Sequence, residues 1–256
     1  MHIKRQMAPP LSSVKKALKV LQTFSDDRTE LGVTQISELV RSHKSSVSRI
    51  LMTLSAEGFV EKNPLTHKYR LGMKVVELGN RALSRFDLKD HAGPFLEELA
   101  RKTSEIIHLS ILDKNEIVYV DKKGEGQVLT IATKIGGRNP AYACAMGKVL
   151  LSGLSPEGLV EVLSLSPLVR FTPTTIAEIP KLRKELEKIR KQGFAVDNEE
   201  SFPGIRCVAA PIKDRRGHMI AAISATVPAM RMGRERIKEI KGLVLETARR
   251  LSERVK

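Results

Sequence analysis

The sequence predicts an α+β chain in two parts: an N-terminal winged helix-turn-helix, then a larger domain built on a mostly antiparallel sheet. Three observations predict it. Within residues 31–71, two short helical patterns flank a tight turn at Arg41-Ser42 and lead into two short strand-like runs. A charged amphipathic stretch, 180–193, is stopped by Gly193 and followed by three alternating runs at 194–200, 204–214 and 218–228. Basic charge is concentrated at the start: residues 1–85 hold 15 Lys/Arg against 7 Asp/Glu, while the remaining 171 hold 29 against 22.

Leu11 to Phe24 puts Val14, Ala17, Leu18, Leu21 and Phe24 on one helical face, with Ser12 or Ser13 as N-cap. Asp26-Asp27 marks a loop, and Thr34 is expected to cap a helix from Gln35 to Val40. The next helix, Lys44 to Gly58, is the most informative. Val47, Ile50, Leu51 and Leu54 form its inward stripe, while Lys44, Ser45, Ser46, Ser48, Arg49 and Thr53 face outward. A merely solvated helix mixes acids with its cations; here hydroxyls and cations stand almost alone, the composition that meets phosphates and base edges. Phe59–Lys62 and Lys68–Leu71 read as the strands of a wing, placing His67, Lys68 and Arg70 within reach of a DNA backbone or minor groove. Residues 1–72 thus form the DNA-binding domain and 73–90 a linker helix carrying Val75, Val76, Leu78, Leu83 and Phe86, which is expected to pair with a second copy.

In residues 91–256 Pro94 is expected in the first turn of a helix reaching Lys102. Strands follow at 106–112, 116–123 and 127–136, then a helix at 141–154, a short helix opened by Pro156, the 180–193 helix, three strands and a final helix. Two cysteines, Cys144 and Cys207, show no metal-ligand spacing and fit a reduced cytoplasmic setting; no apolar run is long enough to span a membrane, and MHIKRQMAPP lacks the core of a secretory signal. No P-loop or paired carboxylates at useful spacing are found, so an enzyme is not expected, nor a cofactor. His108, Cys144 and Ser201 as a nucleophilic set, and His108, Asp197 and Cys207 as a metal site, are the competing readings of these residue types. A cavity for a small organic acid is favoured. The Cys144-Ala145-Met146-Gly147 segment opens a helix with small residues, Ser224 and Thr226 share one strand face, and Ile205 and Cys207 share another. Small residues merely packing a helix onto a sheet account for these features equally well. A small-molecule enzyme with a basic assembly domain and an effector-independent architectural DNA binder stand as alternatives.

The segments KSSVSRILMTLSAEGFV (44–60), AMGKVLL (145–151) and, above all, GFAVDNEESFPGIRCVAAPIKDRRGHMIAAISATVP (193–228) resemble the isocitrate lyase regulator (IclR) family of bacterial transcription regulators. The resemblance runs from about Leu11 to the last helix. It implies a winged helix-turn-helix, an effector domain related to the GAF fold, and dimers that can pair into tetramers. It further implies that a small organic or aromatic acid binds the second domain and changes occupancy of double-stranded operator DNA. By motif matching, Ala145, Met146, Asp197, Ile205, Cys207, Ser224 and Thr226 would meet the effector, and Ser45, Ser46, Ser48 and Arg49 the DNA. The chain departs from the family at three points. Arg41-Ser42 stand where Gly and an apolar residue are usual, so Arg41 either adopts a left-handed conformation or the turn re-forms, and it is equally placed to supply a phosphate contact. Asn139 replaces a bulky apolar residue, and Tyr142 replaces an imidazole. The last two point to a more polar effector that accepts a phenol hydrogen bond.

Overall fold

A computed structural model describes residues 11–25, 27–84, 88–124 and 133–255, and the chain divides into two compact units, Met1–Arg85 and Phe86–Lys256. The expected loop residue Asp26, the linker residue Phe86 and most of the expected strand at 127–136 lie outside the described residues, as does the side chain of Leu83.

In unit 1, helix α1 spans Ser12–Leu21, α2 Val33–Leu39 and α3 Lys44–Ala56, followed by strands β1 (Val60–Lys62) and β2 (Tyr69–Leu71) and helix α4 (Met73–Ser84). The wing is antiparallel, with Glu61 opposite Arg70. Leu31 adds a bridge to Tyr69. That bridge forces α2 to start early, so Thr34 lies inside the helix and does not cap it. Gly32 is the N-cap, and the Gln35 Oε1 reaches back to accept its N–H at 2.9 Å. Neither Ser12 nor Ser13 caps α1, whose N-cap is Leu11. The core comprises Val20, Leu31, Ile36, Val47, Leu51, Val60 and Tyr69, with Leu21, Phe24, Ile50 and Leu54 packed on it. Val14 and Leu18, expected inward, are exposed, because only the C-terminal turn of α1 reaches this core. Gly58, at φ 75°, stops α3 and turns the chain into β1.

Unit 2 opens with helix α5, Leu88–Thr103. Pro94 therefore sits inside the helix and not in its first turn, where its missing N–H leaves the carbonyl four residues back without its usual helical donor. Strands β3 (Ile106–Asp113), β4 (Glu116–Lys123), β5 (Arg138–Pro140), β6 (Ala195–Asn198), β7 (Ile205–Lys213) and β8 (Met219–Pro228) form one sheet in the order β5-β4-β3-β8-β7-β6, every neighbouring pair antiparallel. Residues 133–136 of the expected strand form no strand. A 3₁₀ turn, Ala141–Ala143, precedes helix α6 (Ala145–Ser152), so the helix expected at 141–154 is shorter at both ends. Helices α7 (Pro156–Ser164), α8 (Ile179–Gln192) and α9 (Arg234–Ser252) complete the unit. Ser155 caps α7 by accepting the Gly158 N–H. Val208, Ala209 and Ala210 on β7 and Ala221 to Ala225 on β8 are all buried, which requires cover on both sheet faces; α6, backed by α8, and the pair α5–α9 pack against the sheet. A Cβ at Gly147 would stand 2.1 Å from the Ala141 carbonyl oxygen, so α6 packs on the 3₁₀ turn at a distance only glycine allows.

Candidate functional site

Each unit carries one candidate site. In unit 1 it is the outward face of α3. Lys44, Ser45, Arg49 and Thr53 are exposed, and Ser46 and Ser48 are half-buried at its margin. Among the described residues, the side chains of Lys44, Ser45, Ser46, Ser48 and Arg49 have no intramolecular partner, while Thr53 donates back to the Arg49 carbonyl at 3.1 Å. An open groove beside α3 is walled by Ser12, Ser13 and Lys16 of α1, three residues sequence reasoning did not place there. Arg41 has φ 51°, so of the two outcomes the sequence leaves open it takes the left-handed conformation. Its N–H donates to the Glu38 carbonyl and the Ser42 N–H to the Ser37 carbonyl, closing α2 without glycine.

The wing divides its expected contacts. His67 and Lys68 are exposed, His67 with φ 56°. Arg70 is not free: its Nε donates to Glu61 at 2.5 Å, and its guanidinium lies 4.0 Å from Glu30. Cross-strand pairing with Glu61 neutralises the cation that the sequence assigned to DNA.

In unit 2 the register of four strands builds one polar face. Asp197 lies opposite Cys207, Cys207 opposite Thr226, Thr226 opposite Ile106, and Ser224 opposite His108. Above this face the start of α6 closes a cavity of about 30 Å³. Ala145, Met146, Asp197, Ile205, Cys207, Ser224 and Thr226 all line it. Tyr142 does not: its hydroxyl donates to the Val169 carbonyl and accepts the Val169 N–H, and its ring stacks on Phe171. The 3₁₀ turn aims it away from the helix mouth. His108, Tyr119, Thr133, Asn139, Cys144, Ser201 and Phe202 complete the lining. Of these, sequence reasoning weighs His108 and Ser201 only as catalytic or metal residues, Cys144 both as a nucleophile and in the segment opening the cavity helix, and Asn139 as a sign of a more polar effector. The available signal was the alternation His108-Leu109-Ser110, which gains meaning only once β3 is known to pair with β8.

Polar chemistry in the cavity is mostly internal. The His108 Nδ1 is 3.1 Å from Thr226 Oγ1 and Nε2 is 2.7 Å from Thr133 Oγ1. Burial, reinforced by the Lys122 charge, drives its pKa down to about 3, so the ring is neutral. The Ser110 hydroxyl donates to Met146 Sδ at 3.2 Å, and Ser201 donates to the Ala143 carbonyl at 2.7 Å. Asp197 Oδ1 accepts the Glu200 N–H at 2.7 Å. Burial pushes the Asp197 carboxyl up to about 7; the Glu200 N–H opposes this, the Glu200 charge adds to it, and Lys148 lowers it. Near neutral pH about half of this carboxyl is uncharged, so it does not simply repel an anion. Beneath it Lys148, almost fully buried, pairs with Glu200 at 2.5 Å and donates to the Val196 carbonyl at 3.0 Å. Burial raises the Cys144 thiol to about 12 and Cys207 well above its ordinary value. Both are held as poor nucleophiles. Ser224 Oγ is buried without a hydrogen-bond partner among the described residues. The first turn of α6, which also lines the cavity, presents N–H groups that have no partner within the helix. A neutral imidazole, an idle hydroxyl and a helix N-terminus around one small cavity suit an acid carrying further polar groups.

Comparison with known proteins places both units. The model of the IclR helix-turn-helix domain matches residues 13–64, and that of the bacterial transcriptional regulator IclR C-terminal region matches residues 80–253. The HTH-type transcriptional regulator XynR of Escherichia coli (strain K12) is 40% identical over 225 residues, 88% of this chain and 89% of the relative. The regulator KdgR of the same organism is 38% identical over 242 residues, 94% of this chain and 92% of the relative. Among solved structures, an IclR homolog from Microbacterium hydrocarbonoxydans complexed with 4-hydroxybenzoate is 27% identical, with a TM-score of 0.84 over 94% of this chain and 98% of that one.

Proposed function

The chain belongs to the IclR family of bacterial transcriptional regulators, and we propose that it works as a metabolite-responsive, sequence-specific switch on a metabolic operon. In this reading α3 enters the major groove of double-stranded operator DNA, with Lys44, Ser45, Ser46, Ser48 and Arg49 as its contacts and Thr53 at the margin. A small organic or aromatic acid occupies the cavity of unit 2 and alters promoter occupancy. Residues 1–72 act as the reader, 73–90 as linker and 91–256 as sensor. The observation that carries the sensor reading is Ser224, a buried hydroxyl without a partner among the described residues, on the wall of the cavity that the start of α6 also lines. A buried polar group left unmatched is unfavourable unless a ligand or water satisfies it. The 4-hydroxybenzoate bound by the Microbacterium homolog supports an acid of similar class. A cavity of about 30 Å³ holds only about two waters, so such an acid enters by displacing them and moving the lining outward.

A homodimer, able to pair into a tetramer, suits a two-fold operator, and unit 1 carries apolar surface for it: Leu11 before α1, Val14 and Leu18 on it, and Met73, Val76 and Leu78 on α4 are exposed. Protonated thiols and a Ser201 hydroxyl committed to a carbonyl support a binding role over catalysis. The site of action is the cytoplasm, where the operator is; among the described residues no helix is long and apolar enough to cross a membrane. The test is a thermal-shift screen of organic, aromatic and sugar acids, followed by titration of each hit against promoter DNA. The expected result is one chemical class that both stabilises the protein and shifts DNA affinity. Stabilisation by no acid, or by acids that leave DNA affinity unchanged, would remove the sensor reading.

A further inference from the structure

We propose that Leu65, at the tip of the wing, is an apolar minor-groove reader that gives the protein a preference for A·T pairs flanking the site read by α3. The inference rests on the DNA-binding reading above and adds a contact to it. Leu65 is 89% exposed, the most exposed large hydrophobic side chain among the described residues. Isolated exposed leucines are ordinary on protein surfaces, so exposure alone decides nothing. The construction of the tip does. Asn63 Oδ1 accepts the N–H groups of Leu65 and Thr66, and the Asn63 amide and Thr66 hydroxyl both donate to Glu30, at 2.8 and 3.1 Å. His67 N–H returns to the Asn63 carbonyl. These bonds tie the loop to Glu30 and commit Asn63 and Thr66, leaving Pro64 and Leu65 as the exposed apolar part of its crest beside His67.

Charge selects the partner. Glu61 is paired with Arg70, and Glu30 is occupied by Asn63 and Thr66, so the acids of the wing are engaged. Lys68 beside the crest is exposed and has no ion-pair partner among the described residues, and Lys62 is exposed on β1 with its ammonium 5.9 Å from the Tyr69 ring centre. An apolar crest flanked by cations is ill-suited to a protein groove and well-suited to a narrow channel with phosphate walls. In the minor groove an apolar side chain contacts sugars and base edges, and the guanine 2-amino group is the one base substituent that obstructs it. Discrimination against G·C follows from that obstruction.

The test begins with a duplex enriched by the wild-type protein from a random pool. Its flanks are then rebuilt with A·T, G·C or inosine·C pairs; inosine keeps the guanine major-groove edge and lacks the 2-amino group. The wild type is expected to bind A·T and inosine·C flanks alike and G·C flanks about tenfold more weakly. Leu65→Ala is expected to bind all three alike, at the weak level, with an unchanged thermal melt because the side chain is exposed; Leu65→Met is expected to keep the preference. A wild type indifferent to the flanks, or a Leu65→Ala variant that retains the preference, overturns the proposal while leaving α3 as reader. No sequence enrichment by the wild type, or undiminished binding by Arg49→Ala, overturns the underlying DNA reading instead.

Discussion

The two units present their chemistry in opposite ways. On α3 of unit 1 the candidate side chains are exposed or half-buried and, Thr53 apart, without intramolecular partners among the described residues, so they are available at little cost to the fold. In the cavity of unit 2 most polar groups are already bonded within the protein: His108 to two threonines, Asn139 to Ser201, Ser201 to Ala143, Asp197 to the Glu200 N–H. A reader must bind a large polyanion from outside, and free cations serve it. A sensor must exclude water and respond to one small molecule, so most of its polar groups are satisfied within the protein and a hydroxyl such as Ser224 is left for the ligand. Substitutions should therefore separate cleanly: changes in α3 affect DNA binding without affecting folding, whereas changes under the cavity affect folding first.

The largest expected break in that contrast is Lys148→Ala. It strands Glu200 as a buried charge, whose Oε2 already lacks a partner, and is expected to destabilise the protein by about 3–5 kcal/mol. Urea unfolding measures the loss, and the double variant Lys148→Met/Glu200→Leu should recover most of it. If the single variant is as stable as wild type, the pair is not a structural support of the cavity floor. Next comes Arg49→Ala, expected to weaken operator binding by about 1–3 kcal/mol with the urea midpoint and ligand response unchanged. A parallel loss of stability in that variant would erase the distinction between the units.

The same contrast explains which parts were legible in the sequence. An exposed face is written locally, so the outward placing of Lys44, Ser45, Arg49 and Thr53 could be read from composition and helical period alone. Arg41 was legible in part, since few backbone conformations close a helix so tightly, and φ 51° is the outcome. Buried arrangements depend on partners distant in sequence. His108 lies opposite Ser224, 116 positions away, and nothing near either residue announces it. Arg70 looked free because its neutralising partners, Glu61 and Glu30, come from an adjacent strand and a preceding loop. Tyr142 was assigned by position along the chain, whereas a 3₁₀ turn carries its hydroxyl to Val169. Pro94 reads as a start signal, yet the helix extends past it in both directions.

Asp197 sharpens the comparison through pH. Its carboxyl pKa is raised from 3.8 to about 7, chiefly by burial. A raised acid binds its proton more tightly when folded, so stability is expected to fall as pH rises from about 4 through 7, by roughly 1 kcal/mol between pH 6 and 8. Asp197→Asn should flatten that slope in urea titrations, and an unaltered slope would mean the carboxyl is not neutral near pH 7. No matching slope is expected in operator affinity of the ligand-free protein at constant ionic strength.

The smallest effect is the most discriminating, because its two readouts move in opposite directions. Ser224 carries a hydroxyl that is buried without a hydrogen-bond partner among the described residues, so removing it relieves an unfavourable burial. Ser224→Ala is expected to leave the ligand-free protein as stable as wild type or more stable, by up to about 1 kcal/mol. If the hydroxyl exists to meet a ligand, the same change weakens effector affinity by about 0.5–1.5 kcal/mol. A hydroxyl serving only to pack the sheet would give the first result without the second. A hydroxyl satisfied by a tightly held water would give neither, since its removal would strand the water's other bonds and lower stability. Thermal melts with and without the acid identified by screening distinguish the three outcomes on one variant. Only the divergent pair of results, a firmer protein that responds less, marks Ser224 as part of a sensor.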